Sequence, residues 1–212
     1  MITKYGYSTV AKAGVISLLL VVLSIMLPLV LGAVCATAGL LLMVFTLQFF
    51  RDPERRPPEK ERIILSPADG KIVRIEETEH PFFQGKAKMV SIFMSPLNVH
   101  VNRNPISGKV THLKHIEGEY IAAFEHTSGE RNERTEIGIE NAEVKVFLKQ
   151  IAGYVARRIV CELSLNDTVQ IGERFGMIKF GSRVDIFMPP HVRLCIKHGD
   201  SVTAGETILA EY

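Results

Sequence analysis

Hydrophobic and polar positions follow two different regimes along this chain. Residues 14–50 contain no charged side chain, whereas charges are dense from Arg51 onward. A membrane-spanning helix needs about 20 apolar residues, and this block is nearly twice that length. Pro28 and Gly32 interrupt it near its middle. The pattern predicts two short helices, over residues 15–31 and 33–50, joined by a tight bend. A secretory signal fits poorly, because its apolar core is only about 7–15 residues long. Lys4 and Lys12 precede the block, and Arg51, Arg55 and Arg56 follow it. A helical hairpin puts both flanks on one side, and the positive-inside rule makes that side cytoplasmic. Aromatics, then basic residues, then prolines in Phe-Phe-Arg-Asp-Pro-Glu-Arg-Arg-Pro-Pro suit an exit from lipid.

Beyond Glu61 the period shortens to two. The run from Ile63 to Glu77 reads as strand, turn, strand, with Ala68-Asp69-Gly70 as the turn. Residues 87–95 and 142–153 read as further strands. Ile178 and Phe180 before Gly181-Ser182, and Val184, Ile186 and Met188 after it, alternate on both sides of two residues. That is a hairpin pattern. The C-terminal stretch predicts two more short strands around Gly199-Asp200 and Gly205. Only residues 154–163 keep a helical period. The expected fold is mainly β, a hairpin-rich sandwich or barrel-like catalytic domain over residues 63–212. A transmembrane helical hairpin over residues 1–50 and a juxtamembrane linker over residues 51–62 precede it.

Composition changes this picture little. A formal net charge of +2 gives no basis for nucleic-acid binding. Cys35, Cys161 and Cys195 form no CxxC and no Cys/His cluster, which suits buried thiols in a reducing compartment. His112 and His115 are three apart without an evident third ligand, so no metal site is expected. The ending His-Gly-Asp-Ser-Val-Thr-Ala-Gly-Glu-Thr-Ile-Leu-Ala has the rhythm of a lipoyl or biotinyl carrier domain. It lacks the tip lysine on which such a domain is modified.

Chemistry concentrates in three short segments. These are Ser66-Pro67-Ala68-Asp69-Gly70, Met94-Ser95-Pro96-Leu97-Asn98-Val99-His100 continuing to Arg103, and Phe180-Gly181-Ser182-Arg183. Taken singly, each has an ordinary structural reading. Gly-Ser is a common hairpin loop, Asp-Gly a common turn, and His100 a histidine at a strand end. Together, in this order, they place a hydroxyl, an imidazole and a carboxylate in one chain, the elements of an activated nucleophile.

With Phe-Phe-Arg-Asp-Pro and Asn132-Glu133-Arg134, the ordered set resembles the phosphatidylserine decarboxylases in their short prokaryotic form, over nearly the whole chain. The resemblance implies that the Ser182 hydroxyl attacks the Gly181 carbonyl and splits the chain between 181 and 182. Residue 182 would become a pyruvoyl group, the only cofactor needed, which forms a Schiff base with the substrate amine. It implies Asp69 and His100 as the acid–base pair, and Arg103, Asn132 and Glu133 as substrate contacts. Longer members carry a second histidine where Arg103 stands, and Leu-Gly-Ser-Thr where this chain has Phe-Gly-Ser-Arg. The implied partners are a phospholipid substrate, the membrane, and the two cleavage products as a heterodimer. The implied location is the cytoplasmic face of the cell membrane. An archaeal ether lipid with the same headgroup, or a non-catalytic membrane-tethered β carrier or adaptor, are the rival readings. In the polar cluster from His126 to Arg134, Glu130 and Arg131 read as part of a solvated loop.

Overall fold

The computed structural model describes residues 1–121, 128–153, 158–179 and 182–212. The chain divides into two compact units, Met1–Glu54 and Arg55–Tyr212.

The first unit is a helical hairpin. Helix α1 (Tyr7–Met26) and helix α2 (Leu29–Phe49) are each long and apolar enough to cross a bilayer. The break falls at Leu27-Pro28. Gly32, read from the sequence as part of the bend, lies inside α2. Proline fixes the entry to α2 because it is pre-organised for a helix start and lacks only a donor that a first turn leaves unused. Gly32 serves the packing instead: a Cβ there would lie 2.4 Å from the Ser24 carbonyl oxygen of α1. Small side chains at such contacts let two helices approach closely in lipid. The ends are clasped together. The Thr3 amide donates to the Phe50 carbonyl at 2.9 Å, and the Asp52 amide to the Met1 carbonyl at 2.8 Å.

The second unit is built from three antiparallel sheets. Its strands are β1 (Ile63–Leu65), β2 (Gly70–His80), β3 (Gly85–Met94), β4 (Val101–Arg103), β5 (Gly108–Ile116), β6 (Arg134–Glu140) and β7 (Lys145–Ala152). They continue as β8 (Arg158–Cys161), β9 (Thr168–Val169), β10 (Arg174–Lys179), β11 (Ser182–Met188), β12 (Arg193–Leu194), β13 (Ser201–Val202) and β14 (Ile208–Glu211). An eight-stranded sheet runs β13-β2-β3-β11-β7-β6-β5-β9; the smaller sheets run β1-β14-β12 and β4-β10-β8. One apolar cluster joins all three. Ile92, Leu148 and Val184 come from the large sheet, Ile64 and Leu209 from one small sheet, and Ile178 from the other. The fold is mainly β, a curled sheet closed over its inner face by two small ones.

Residues 63–77 form the expected strand, turn and strand, but the two strands do not pair: β1 pairs with β14, while β2 pairs with β3 and β13. The chain changes sheet between Leu65 and Gly70. Gly70 is needed there, since a Cβ would lie 2.2 Å from the Phe93 carbonyl oxygen. Nor do β10 and β11 pair with each other across Gly181-Ser182. β10 lies between β4 and β8, and β11 between β3 and β7. The chain therefore changes sheet between Lys179 and Ser182, the stretch that holds the expected cleavage bond. Finally, the helical period at 154–163 yields strand β8, because pairing with β10 outweighs a weak local preference. Residues 154–157 lie outside the described residues.

Candidate active site

Strand β11 is buried along its whole length, which explains its lack of exposed polar residues. Its side chains alternate. Ser182, Val184, Ile186 and Met188 share the inner face, and Arg183, Asp185 and Phe187 the outer one. Ser182 opposes Met94 on β3 and Ala152 on β7. Its Oγ lies 3.4 Å from the Met94 sulfur, a weak acceptor, and the residue has no solvent exposure. Gly181, the other half of the expected cleavage bond, lies outside the described residues, as do Phe180 and His126.

Asp69 precedes β2, two strands away from β11. Lys71 opposes Phe93, and Phe93 opposes Arg183, so these rows span about 10 Å. The Asp69 carboxylate is fixed on three sides. Arg55 donates from Nη1 to Oδ1 at 2.5 Å and from Nη2 to Oδ2 at 2.7 Å, and the Ala204 amide donates to Oδ1 at 2.8 Å. Arg55 also donates to the Ala204 carbonyl at 2.8 Å. The Arg55 and Asp69 side chains are 6% and 12% exposed, so this bidentate pair is largely dry. Sequence reading treated Arg55 only as a flank that orients the membrane hairpin. Nothing local to the sequence couples it to a carboxylate fourteen residues on.

His100 is fully buried. A turn aims it: the Ser95 amide and hydroxyl both donate to Asn98 Oδ1, at 2.9 and 2.8 Å, and the Asn98 amide donates to the Ser95 carbonyl. Its Nδ1 lies 2.9 Å from the Asn98 carbonyl oxygen. A carbonyl only accepts, so this contact assigns the proton to Nδ1 and the lone pair to Nε2. His100 is also tied to β10, through the Ile178 amide donating to its carbonyl at 3.3 Å.

The three motifs are stitched together. The Pro67 carbonyl accepts from the Arg103 amide at 3.0 Å and from Asn102 Nδ2 at 3.3 Å. Gln150, which opposes Val184 on β7, donates to Asn102 Oδ1 at 2.9 Å. This buried amide bridge ties the β4 segment carrying His100 to the sheet carrying Ser182. Neither Asn102 nor Gln150 stood out in the sequence, since an isolated amide has no motif.

The three expected substrate contacts are all engaged with protein groups. Arg103 is buried and donates to the Gly172 carbonyl at 2.9 Å. Asn132, also buried, donates to the carbonyls of Ile121 and Ala152 at 2.8 and 2.6 Å, and accepts from the Ile121 amide. It thereby fixes Ala152, the residue opposite Ser182. Glu133 accepts from the Tyr120 hydroxyl and lies 3.6 Å from His115 Nε2. Among the described residues, no group of three His, Cys, Asp or Glu side chains is placed to hold a metal ion.

The outer face of the sheet carries a separate feature, a cavity of about 560 Å³ lined by His80, Phe82, Phe147, Lys149, Arg183 and Asp185 among others. Arg183 and Asp185 form a buried ion pair at 2.9 Å. His80 packs between Phe147 and Phe187, with ring centroids 4.5 and 4.4 Å away. Burial, then the Lys149 charge, lower its pKa to about 4.

Residues 42–210 match the phosphatidylserine decarboxylase family. The chain belongs to that family. It is similar along its full length to proteins called phosphatidylserine decarboxylase proenzyme. It is 50% identical to the one from Chlorobium chlorochromatii (strain CaD3) over 212 residues and 48% identical to that from Chlorobium phaeobacteroides (strain DSM 266 / SMG 266 / 2430) over 213, each covering 100% of both chains. The relative from Pelodictyon phaeoclathratiforme (strain DSM 5477 / BU-1) is 49% identical over 213 residues, again across the whole of both chains. Membership makes this decarboxylase-family chain an enzyme of the carboxy-lyase class. The family resemblance drawn from the ordered motifs is borne out.

Proposed function

We propose that this chain cleaves itself between Gly181 and Ser182 and then decarboxylates phosphatidylserine to phosphatidylethanolamine at the cytoplasmic face of the membrane. The observation that carries the reading is the setting of Ser182. It is a dry hydroxyl at the first position of a fully buried strand, where the chain crosses between two sheets, in a family whose relatives are called proenzymes.

Cleavage begins when the Ser182 Oγ attacks the Gly181 carbonyl carbon. His100, with its lone pair on Nε2, takes the hydroxyl proton, and the nitrogen of residue 182 receives a proton as the peptide bond breaks. Asp69 is the carboxylate assigned to assist His100, held in place by its fork with Arg55. An ester now joins the two residues. Loss of the Cα proton of residue 182 expels the Gly181 carboxylate and leaves a dehydroalanine, which water converts to a pyruvoyl group with release of ammonia.

The fit of residue 182 to that role rests on its place at a strand terminus, with Met94 and Ala152 holding it from both sides. The pyruvoyl carbonyl supplies an electrophile for the substrate amine and an electron sink as carbon dioxide leaves. His100 then moves the proton that replaces the lost carboxylate. Asn132 and the Asn102–Gln150 bridge hold the strand ends in place. The clasped ends of the helical hairpin favour flanks on one side of the bilayer, and their basic residues favour the cytoplasmic side.

The test is release of labelled carbon dioxide from carboxyl-labelled phosphatidylserine in detergent micelles. A carbonyl reagent such as phenylhydrazine should abolish release, and a chelator should leave it unchanged. Turnover that survives phenylhydrazine would contradict the proposal.

A further inference from the structure

Arg55 opens the β unit, in a stretch of chain that forms neither helix nor strand. Its neighbour Arg56 is exposed, as a basic flank at a membrane surface would be. The Arg55 side chain turns inward instead and is only 6% exposed. Two residues on, Pro57 seats against Gly172, where a Cβ would lie 2.4 Å from the Pro57 Cγ. The linker is therefore docked on the β unit rather than loose beside it. Arg55 Nη1 donates to Asp69 Oδ1 and to the Ala204 carbonyl, and Nη2 donates to Asp69 Oδ2. The Ala204 amide closes the circuit on Asp69 Oδ1. Each of the three residues thus binds the other two.

A buried pair of this kind is a poor source of stability. Desolvation of the two charges offsets much of their attraction, and apolar residues of similar volume often serve as well. What the fork supplies is direction. The last torsion of an aspartate is broad, so a carboxylate on its own turns easily. Two parallel guanidinium bonds and one backbone amide fix its plane. They also fix it against a particular part of the chain. Ala204 lies in residues 182–212, the piece that would carry the reacting residue at its head, whereas Arg55 and Asp69 lie in the other piece. Arg55 thereby holds the Asp69 carboxylate in register with the piece that begins at Ser182.

We propose that Arg55 is the positioning residue for Asp69 in self-cleavage, acting through the carboxylate that assists His100. The inference rests on the function proposed for Ser182 and on the part given there to Asp69. One of the basic residues that flank the membrane hairpin then belongs to the machinery of maturation.

The rate of self-cleavage decides. The full chain is made by cell-free synthesis in non-ionic detergent and followed on gels, and stability is compared by thermal melts of each variant combined with Ser182→Ala, which stays uncut. Arg55→Lys keeps the charge but loses the fork. It should slow cleavage about 10–100-fold, the scale on which a small misplacement near the chemistry acts, while its melt stays close to that of the parent. Arg55→Ala should be slower still. Guanidinium ions at sub-denaturing concentration should restore part of its rate, whereas urea, an uncharged molecule of the same shape, should not. A merely structural arginine would show no such selective rescue. Arg56→Gln should cleave at the wild-type rate. If Arg55→Ala does not fold, Arg55→Lys carries the decision. Arg55→Lys cleaving as fast as wild type overturns the assignment. So does slow cleavage confined to variants that melt below the assay temperature, which would make Arg55 a structural anchor. Normal cleavage by Asp69→Asn beside slow cleavage by Arg55→Lys overturns it as well, since Arg55 would then act by another route. A wild-type chain that never cleaves would sink the function proposed for Ser182, whereas a cleaving wild type with an unaffected Arg55→Lys would sink this assignment alone.

Discussion

The two units of this chain use apolar side chains in opposite ways. In the helical hairpin, Leu18, Leu19, Ile25, Leu29 and Leu40 point outward and are more than half exposed. In the β unit, Ile64, Ile72, Ile92 and Leu148 are completely buried. The same residue types serve two purposes, an outward apolar face suited to hydrocarbon in one case and a packed interior in the other. An outward-facing leucine in lipid needs only to be apolar, so its neighbours are interchangeable. An interior position must also fit, because interiors are packed as densely as organic crystals. Polar groups sharpen the contrast. Those of the hairpin clasp its ends through the backbone, whereas those of the β unit hold specific side chains at specific distances. The proposed function accordingly assigns the chemistry to the β unit and residence at the membrane to the hairpin.

The largest expected effect follows from breaking the best-fixed polar group. Asp69→Asn should block or greatly slow self-cleavage. It should also destabilise the fold, because Arg55 would keep a buried charge without its counter-ion, and breaking such a pair costs about 3–5 kcal/mol. Cleavage followed on gels, with thermal melts alongside, separates the two effects. Normal cleavage by Asp69→Asn would reduce Asp69 to an anchor for Arg55.

His100→Ala comes next. Maturation happens once and can be outwaited, whereas turnover needs a proton in every cycle. Carbon dioxide released per pyruvoyl should fall by about 10²–10⁴-fold in the fraction that matures. A wild-type rate would leave His100 a structural histidine, held by Asn98 for packing alone.

A smaller effect lies on the outer face of the sheet. His80 has its pKa lowered from 6.5 to about 4, so the unfolded chain takes the proton first. The stability that neutral His80 contributes is complete above pH 6.5, declines as pH falls below that value, and stops declining near pH 4. His80→Leu should flatten the melting temperature over that window. Parallel curves for the variant and the wild type would refute the coupling.

For self-cleavage, removal of residues 1–50 should have the least effect of all. The shortened chain should leave the membrane fraction and still cleave, since Arg55 and every residue discussed at the site remain. A folded but uncleaved product would show that the hairpin takes part in the chemistry, and the contrast between the two units would fail.

What the sequence made legible follows from the range of each signal. The apolar block of residues 14–50 and the period-two alternation after Glu61 are local, and both were readable. The motifs around Asp69, His100 and Ser182 were readable as an ordered set. Strand partners were not. β1 pairs with β14 at the far end of the chain, and no local pattern encodes that choice. The Arg55–Asp69 fork and the Asn102–Gln150 bridge were invisible for the same reason: each joins residues whose only relation is spatial. The bend was misjudged at Gly32 because glycine carries two meanings, a break or a close contact, and only packing against Ser24 distinguishes them.

The central claim, that this β unit cuts its own chain at Ser182, is tested most directly by an intact-mass measurement on the purified active protein beside Ser182→Ala. The account predicts two polypeptides from the wild type, residues 1–181 and residues 182–212, the smaller resistant to N-terminal sequencing because a pyruvoyl group has no amine. Ser182→Ala should give one uncut chain without activity. A single full-length mass from wild-type protein that decarboxylates phosphatidylserine would contradict the account.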